Sequence, residues 1–254
     1  MEKNNSIQHE QEYKGGYLNG FLMIFIDIIL WCGCVVLFVW GAETVMPMPF
    51  FLSAIVFIVA IICSCGFAKL EPNEAKVLTF FGKYVGTFRK TGFYWINPFM
   101  SVKNVSLRAR NLNADPIKVN DKTGNPILIG LVVVWRLKDT YKAIFDIDTD
   151  ISTAAGTQVG NAAIARMNKF ERFVAVQSDS ALREVAGLYA YDNEDTKDGE
   201  SITLRSGAAE INEVLTNKLN DRLEMAGLEV IEARINYLAY APELAAVMLR
   251  RQPA

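Results

Sequence analysis

Hydrophobic positions are not spread evenly along the chain. Phe21 to Trp40 (FLMIFIDIILWCGCVVLFVW) and Phe50 to Ala68 (FFLSAIVFIVAIICSCGFA) are nearly unbroken apolar runs. Each is about 20 residues long, the length that crosses a bilayer core, so the pattern predicts two membrane helices. The intervening GAETVMPMP is short, and Pro47 and Pro49 end one helix and reset the chain. A tight hairpin with both ends on one side follows. A polar tail precedes the first run, which is too long for a cleaved signal peptide.

Beyond Lys69 the pattern changes period. Ala75 to Phe88 (AKVLTFFGKYVGTF) alternates and breaks at Gly82 and Gly86, as short antiparallel strands do. Val102 to Asn113 and Ile117 to Asn120 continue it. The turn signal Thr123-Gly124-Asn125-Pro126 then leads into the β-branched run ILIGLVVVWRLKD. After Lys138 helical spacing takes over. Asp150 or Ser152 is placed to cap ISTAAGTQVGNAAIARMNKF, where Ala155, Gly156, Gly160, Ala163 and Ile164 set small residues on one side. Gly156 and Gly160 form a GxxxG that predicts close helix packing. Ser180 to Leu188 reads as a short helix. Ala208 to Met225 reads as a longer one, with Ile211, Val214, Leu215, Leu219 and Leu223 buried and Gly227 as its stop. Leu228 to Ala241 reads as a strand of imperfect alternation, and Pro242 opens a last helix.

Charge changes the picture in one respect. The hairpin loop has no Lys or Arg, whereas Lys14 precedes the first span and Lys69, Lys76, Lys83, Arg89 and Lys90 follow the second. The positive-inside rule therefore puts the tail and the remainder in the cytoplasm. The net charge of −2 provides no basic footprint for nucleic acid.

Candidate chemistry is sparse. Cys32, Cys34, Cys63 and Cys65 all lie in the apolar runs, so no disulfide scaffold is implied. Residues two apart on a helix point roughly 200° apart, so neither CGC nor CSC chelates a metal within one helix. Cys63 and Cys65, near the cytoplasmic end, are candidates for reversible acylation. Asp27 is the ionisable group deep in a span, where charge costs at least about 2.5 kcal/mol. It marks either a functional or oligomer contact, or a protonated or snorkelling side chain. The single histidine, His9, lies in the tail, which argues against Ser/His and Cys/His catalysis. The acidic YDNEDTKDGES lacks the order of a calcium loop, and no glycine loop precedes GK[ST]. No enzyme activity, metal or cofactor is expected.

The ordered pieces PNEAKV, FGKYVGTF, TGFYWINPF, VVWRLKD and the strand before APELAAVMLRRQ together resemble the stomatin/prohibitin/flotillin/HflK-HflC (SPFH, band 7) superfamily. The resemblance covers about two thirds of the chain and implies an α+β fold. A membrane-anchored SPFH domain, an antiparallel-sheet subdomain followed by a helix-rich α/β subdomain, follows a two-span transmembrane hairpin. The expected divisions are a tail (1–18), the hairpin (19–68), a membrane-proximal SPFH1 part (69–132), an SPFH2 part (133–240) and the start of a C-terminal helix (241–254). The resemblance implies a non-enzymatic scaffold in a bacterial inner membrane. Many copies, or a related SPFH subunit, would close into a ring or cage around membrane proteins, membrane proteases or lipids. A regulatory or structural subunit of a membrane protease or transporter is the second reading. Relatives carry a long coiled-coil helix after this domain, and here only its opening is expected. Within TGFYWINPF, the side chains Phe93, Tyr94, Trp95 and Phe99 beside Arg89 and Lys90 suit the headgroup boundary, where they would contact membrane lipid. They suit the core of the first sheet as well.

Overall fold

The computed structural model describes residues 10–44, 47–146, 159–192 and 202–243. Asp150, Ser152, Ala155, Gly156, His9, most of the acidic loop and the last helix beyond Glu243 lie outside them. The chain forms two compact units, divided between Val105 and Ser106.

The first unit holds both apolar runs as helices, α1 (Gly20–Thr44) and α2 (Pro47–Ser64). At 1.5 Å per residue they are about 37 and 27 Å long, and both are apolar enough to cross a bilayer. Asp27, Cys34 and Gly41 recur every seven residues on the face of α1 that meets α2, Asp27 at Ser64, Cys34 at Ser53 and Gly41 at Pro49. The small side chains of Cys34, Gly41, Ser53 and Ala60 let the helices approach closely: a Cβ on Gly41 would lie 3.2 Å from Pro49 Cβ. Ser53 Oγ donates to the Cys34 carbonyl at 3.2 Å across the pair.

Two boundaries differ from the sequence reading. Pro47 is the first residue of α2 rather than part of the linker, because a helix's first N–H needs no partner there. The second run also ends as a helix at Ser64, not Ala68. Phe67 and Ala68 use their backbone groups in a strand instead, β2 (Phe67–Leu70), after a turn at Cys65-Gly66.

The other strands of this unit are β1 (Tyr17–Asn19), β3 (Glu74–Phe80), β4 (Lys83–Phe88), β5 (Gly92–Ile96) and β6 (Met100–Ser106). They form two three-stranded sheets, ordered β1-β5-β2 and β4-β3-β6. Tyr13, Ala68, Leu70, Leu78, Phe88 and Ile96 make their common core.

The second unit is a three-stranded antiparallel sheet of β7 (Arg110–Asn120), β8 (Pro126–Leu137) and β9 (Leu228–Tyr240), with β8 central. The expected subdomain division at 132/133 falls within β8, which runs unbroken from one side of it to the other. Two helices, α3 (Val159–Ala186) and α4 (Ala208–Leu223), cover the sheet. One face of β8, with Ile127, Ile129, Leu131, Val133 and Trp135, is fully buried, and Leu128, Val132 and Val134 on the other are half-buried, so the strand reads as a continuous apolar run up to the exposed Arg136. The sequence suggests separate helices up to Phe170 and from Ser180, but α3 is continuous. The polar run Gln177–Ser180 looks like a break, yet Ser178 is buried and the inner stripe Phe170, Val174, Ala181 and Val185 runs through it. α4 has the expected stripe, and Gly227, with φ of 64°, ends the 3-10 turn behind it. The imperfect alternation of β9 has a cause: the register slips opposite Gly130/Leu131 and Val134/Trp135, inserting Asn236 and Ile231 as bulges.

Candidate membrane-exit site

The residues that lead into α1 and those that leave α2 meet on one strand. β1 pairs antiparallel with β5 (Tyr17 with Ile96, Asn19 with Tyr94). β2 pairs with its other edge (Phe67 with Trp95, Leu70 with Gly92). The aromatic strand GFYWI is thus the central strand of a sheet that stitches both ends of the helical hairpin together. Both ends must therefore lie on the same side of whatever α1 and α2 cross.

The side chains of β5 complete the junction. Trp95 Nε1 donates to the Cys63 carbonyl at 2.8 Å, satisfying one of the last-turn carbonyls of α2. Ile96 N–H donates to the Gly66 carbonyl at 2.9 Å. Phe93 stacks on Phe67, with ring centres 5.6 Å apart and planes 6° from parallel, and makes a tilted contact with Phe21, ring centres 5.4 Å apart. Gly20 is required here, because a Cβ would sit 2.2 Å from the Phe93 ring. Tyr94 packs edge-on against Tyr17 and Phe88. Phe93, Tyr94 and Trp95 are half-buried and pack on the sheet and on the ends of the helices.

The two cations are also engaged. Arg89 forms a two-pronged ion pair with Glu10, with Nη2 2.7 Å from a carboxylate oxygen. Lys90 Nζ donates to the Tyr17 hydroxyl at 2.6 Å and lies over that ring, 4.9 Å from its centre. The hydroxyl holds the ammonium above its ordinary pKa. Glu10 belongs to an arm read from sequence only as polar tail. Tyr13 N–H donates to the Thr87 carbonyl and Thr87 N–H to the Gln11 carbonyl, which lays the arm along the free edge of β4. Tyr13 is 5 % exposed. Gly86 makes room for it: a Cβ there would be 2.8 Å from the Tyr13 Cα. The alternation of Tyr13, Gly15 and Tyr17 is the signal that marks this arm as structured.

The aromatics left open lie elsewhere. Phe81 is 87 % exposed at the tip of the β3–β4 turn and has a φ of 45°, a conformation bulky side chains rarely adopt. Phe80 packs edge-on against it, with ring centres 4.7 Å apart. Phe99, in the turn after β5, is 63 % exposed. Thr79 Oγ1 donates to the Ser101 carbonyl at 3.4 Å, which brings the two turns side by side. Lys83 flanks the tip and is exposed. Of the expected lipid-facing aromatics, Phe99 is exposed, as are Phe80 and Phe81, and the expected cations Arg89 and Lys90 are exposed as well while holding Glu10 and Tyr17.

Asp27 faces α2. Its Oδ2 accepts a hydrogen bond from Ser64 Oγ at 2.9 Å, whereas Oδ1 is shielded and has no partner among the described residues. Cys63 is half-buried and Cys65 is exposed in the turn after α2. No group of three or more His, Cys, Asp or Glu side chains able to hold a metal occurs among the described residues.

A family model for the SPFH domain / Band 7 family matches residues 68–254, about three quarters of the chain. The chain belongs to the SPFH family. Its match begins within β2, the strand that leaves the second helix, and runs through both sheets that follow. SPFH proteins are in general membrane-associated, oligomerising scaffolds without enzymatic activity, and two helices suited to membrane anchoring precede this SPFH domain. No curated protein matches the chain.

Proposed function

We propose that this SPFH chain is a non-enzymatic scaffold. Many copies assemble into a ring or cage that organises membrane proteins or lipids, with the SPFH domain on the cytoplasmic side. The observation that carries this reading is the β1-β5-β2 sheet. It fixes the exits of two apolar helices to the first SPFH strands through backbone pairing, so the domain is held at the bilayer rather than tethered by a flexible linker. The side is argued from the Lys and Arg that flank the spans and are absent from the loop between them. The exposure of Phe80, Phe81 and Phe99, with Lys83 beside them, supports their resting in the headgroup region. Cys65, exposed at the helix end, stays a candidate for acylation on that same side.

Particle size tests the proposal. Extraction of the full chain in mild detergent followed by negative-stain microscopy should show large closed rings or cages. Small particles containing one or two copies beside a protease or transporter would replace the scaffold with the subunit reading.

A further inference from the structure

The half of the helical hairpin nearest the loop has a recess on its lipid-facing side that the scaffold reading leaves without a use. Its rims are two aromatic rungs that bridge the helices. Trp31 meets Phe57 edge-on with ring centres 5.5 Å apart, and Phe38 meets Phe50 in the same way at 5.5 Å. Within each helix the two rings are seven residues apart, so the rungs stand about 10 Å from one another along the hairpin. Between them the surface drops to the buried Cys34 and Ser53, with the exposed Ala54 beside them, and the recess, open at its mouth, has a volume of about 440 Å³. That is within the range of about 300–1,000 Å³ typical of small-molecule sites.

We propose that this recess binds one lipid acyl chain as a resident ligand. Three observations select that occupant. First, the recess lies between two helices read as spanning the bilayer, on which the inference rests, so the medium at its mouth is hydrocarbon. Second, its polar floor atoms are already satisfied: Ser53 Oγ donates to the Cys34 carbonyl, and Cys34 Sγ lies 3.5 Å from Ser53 Oγ. Apart from the Trp31 indole N–H on the rim, the lining offers a ligand only the Ser53 and Cys34 side chains, which are spent on each other, so the portion that enters the recess is apolar. Third, close helix packing in membranes needs small residues at the crossing point, and here the small residues lie at the bottom of a well walled by four rings. A helix is about 10–12 Å across with its side chains and rides on those rings without reaching the floor. A polymethylene chain is slim enough to reach it.

The test uses the full chain reconstituted in vesicles of phosphatidylethanolamine and phosphatidylglycerol, with a trace of phospholipid bearing a diazirine on one acyl chain. After photolysis, peptide mapping should find adducts at Val35 and Ala54 enriched about tenfold over Val36 and Ile58, exposed positions that do not line the recess. Val35→Phe and Ala54→Phe fill the recess from exposed positions. Each should remove the enrichment while labelling at Val36 and Ile58, the check on insertion, stays unchanged. Equal labelling of recess and control positions overturns the proposal. So do adducts that are missing from the recess while Ala54→Cys cross-links to a second copy of the chain. No labelling anywhere on α1 or α2 would instead remove the membrane-spanning reading, and the ligand with it.

Discussion

Phe81 combines nearly full exposure with a left-handed backbone, a pairing that local energetics disfavours twice over. Residence in the headgroup region relieves the first cost. Phe81→Trp should therefore show a blue-shifted emission component with vesicles that brominated lipid quenches. Phe81→Ser should weaken vesicle association of the full chain's SPFH face without lowering its melting temperature, because no core contact is lost. Unquenched emission from a folded variant would take the tip off the membrane. Asp27 belongs to the same scale. Its bond to Ser64 lies within one hairpin, and interhelical bonds of this kind average about 0.6 kcal/mol in membranes, with a ceiling near 2. Asp27→Leu and Ser64→Ala should each change hairpin stability modestly, and the double variant should show a coupling of about 1 kcal/mol in a thermodynamic cycle. Zero coupling would mean that the carboxylate acts elsewhere, as in a contact between copies.

At the scale of elements, the exposed edge of β9 is closed by a polar stripe on α4. Asn212 Oδ1 accepts from Ile235 N–H at 3.1 Å and Thr216 Oγ1 from Ala233 N–H at 3.1 Å. Asn220 both accepts from Val230 N–H at 2.8 Å and donates to the Val230 carbonyl at 3.1 Å. The three side chains recur every four residues, so one helix face serves a strand whose other edge pairs with β8. An uncovered strand edge is a template for unwanted pairing. Asn220→Ala leaves two backbone groups without partners and should cost about 1–3 kcal/mol, read as a lower midpoint in denaturant with earlier aggregation on heating. An unchanged midpoint would show that water replaces the side chain at no cost. The arm over β4 is the corresponding device in the first unit, with backbone in place of side chains.

At the scale of the whole molecule, the β1-β5-β2 sheet makes topology a consequence of strand pairing as well as of charge. A tag at residue 3 and a tag after Ala254 should both be cleaved by protease in inside-out vesicles and both survive in intact cells. Opposite behaviour of the two tags would be incompatible with the sheet, since β1 and β2 cannot flank the same strand from different sides of a bilayer. Protection of both tags in inside-out vesicles would preserve the sheet and reverse the sidedness argued from Lys and Arg.

Patterns of short range were legible in the residues alone. The two apolar runs, the β3–β4 turn at Gly82, the stripe of α4 and its stop at Gly227 each depend on neighbours within a few positions, and periodicity and turn chemistry report such neighbours directly. The SPFH family was legible too, from the order of several weak motifs. Tertiary structure decided what depends on partners far away in the chain. Phe93, Tyr94 and Trp95 satisfy every local criterion for a membrane-surface aromatic run. Their use in the sheet follows from Phe21, Phe67 and the Cys63 carbonyl, which no period connects to them. Arg89 reads as a free cation until Glu10 closes on it from 79 positions away. Phe67 and Ala68 look like the end of a membrane helix because hydrophobicity carries no record of hydrogen bonding. Only the unpaired edge of β5 turns them into a strand. Asp27 likewise gains its partner through the close packing of α1 on α2, which the small residues permit and the fold alone brings into register.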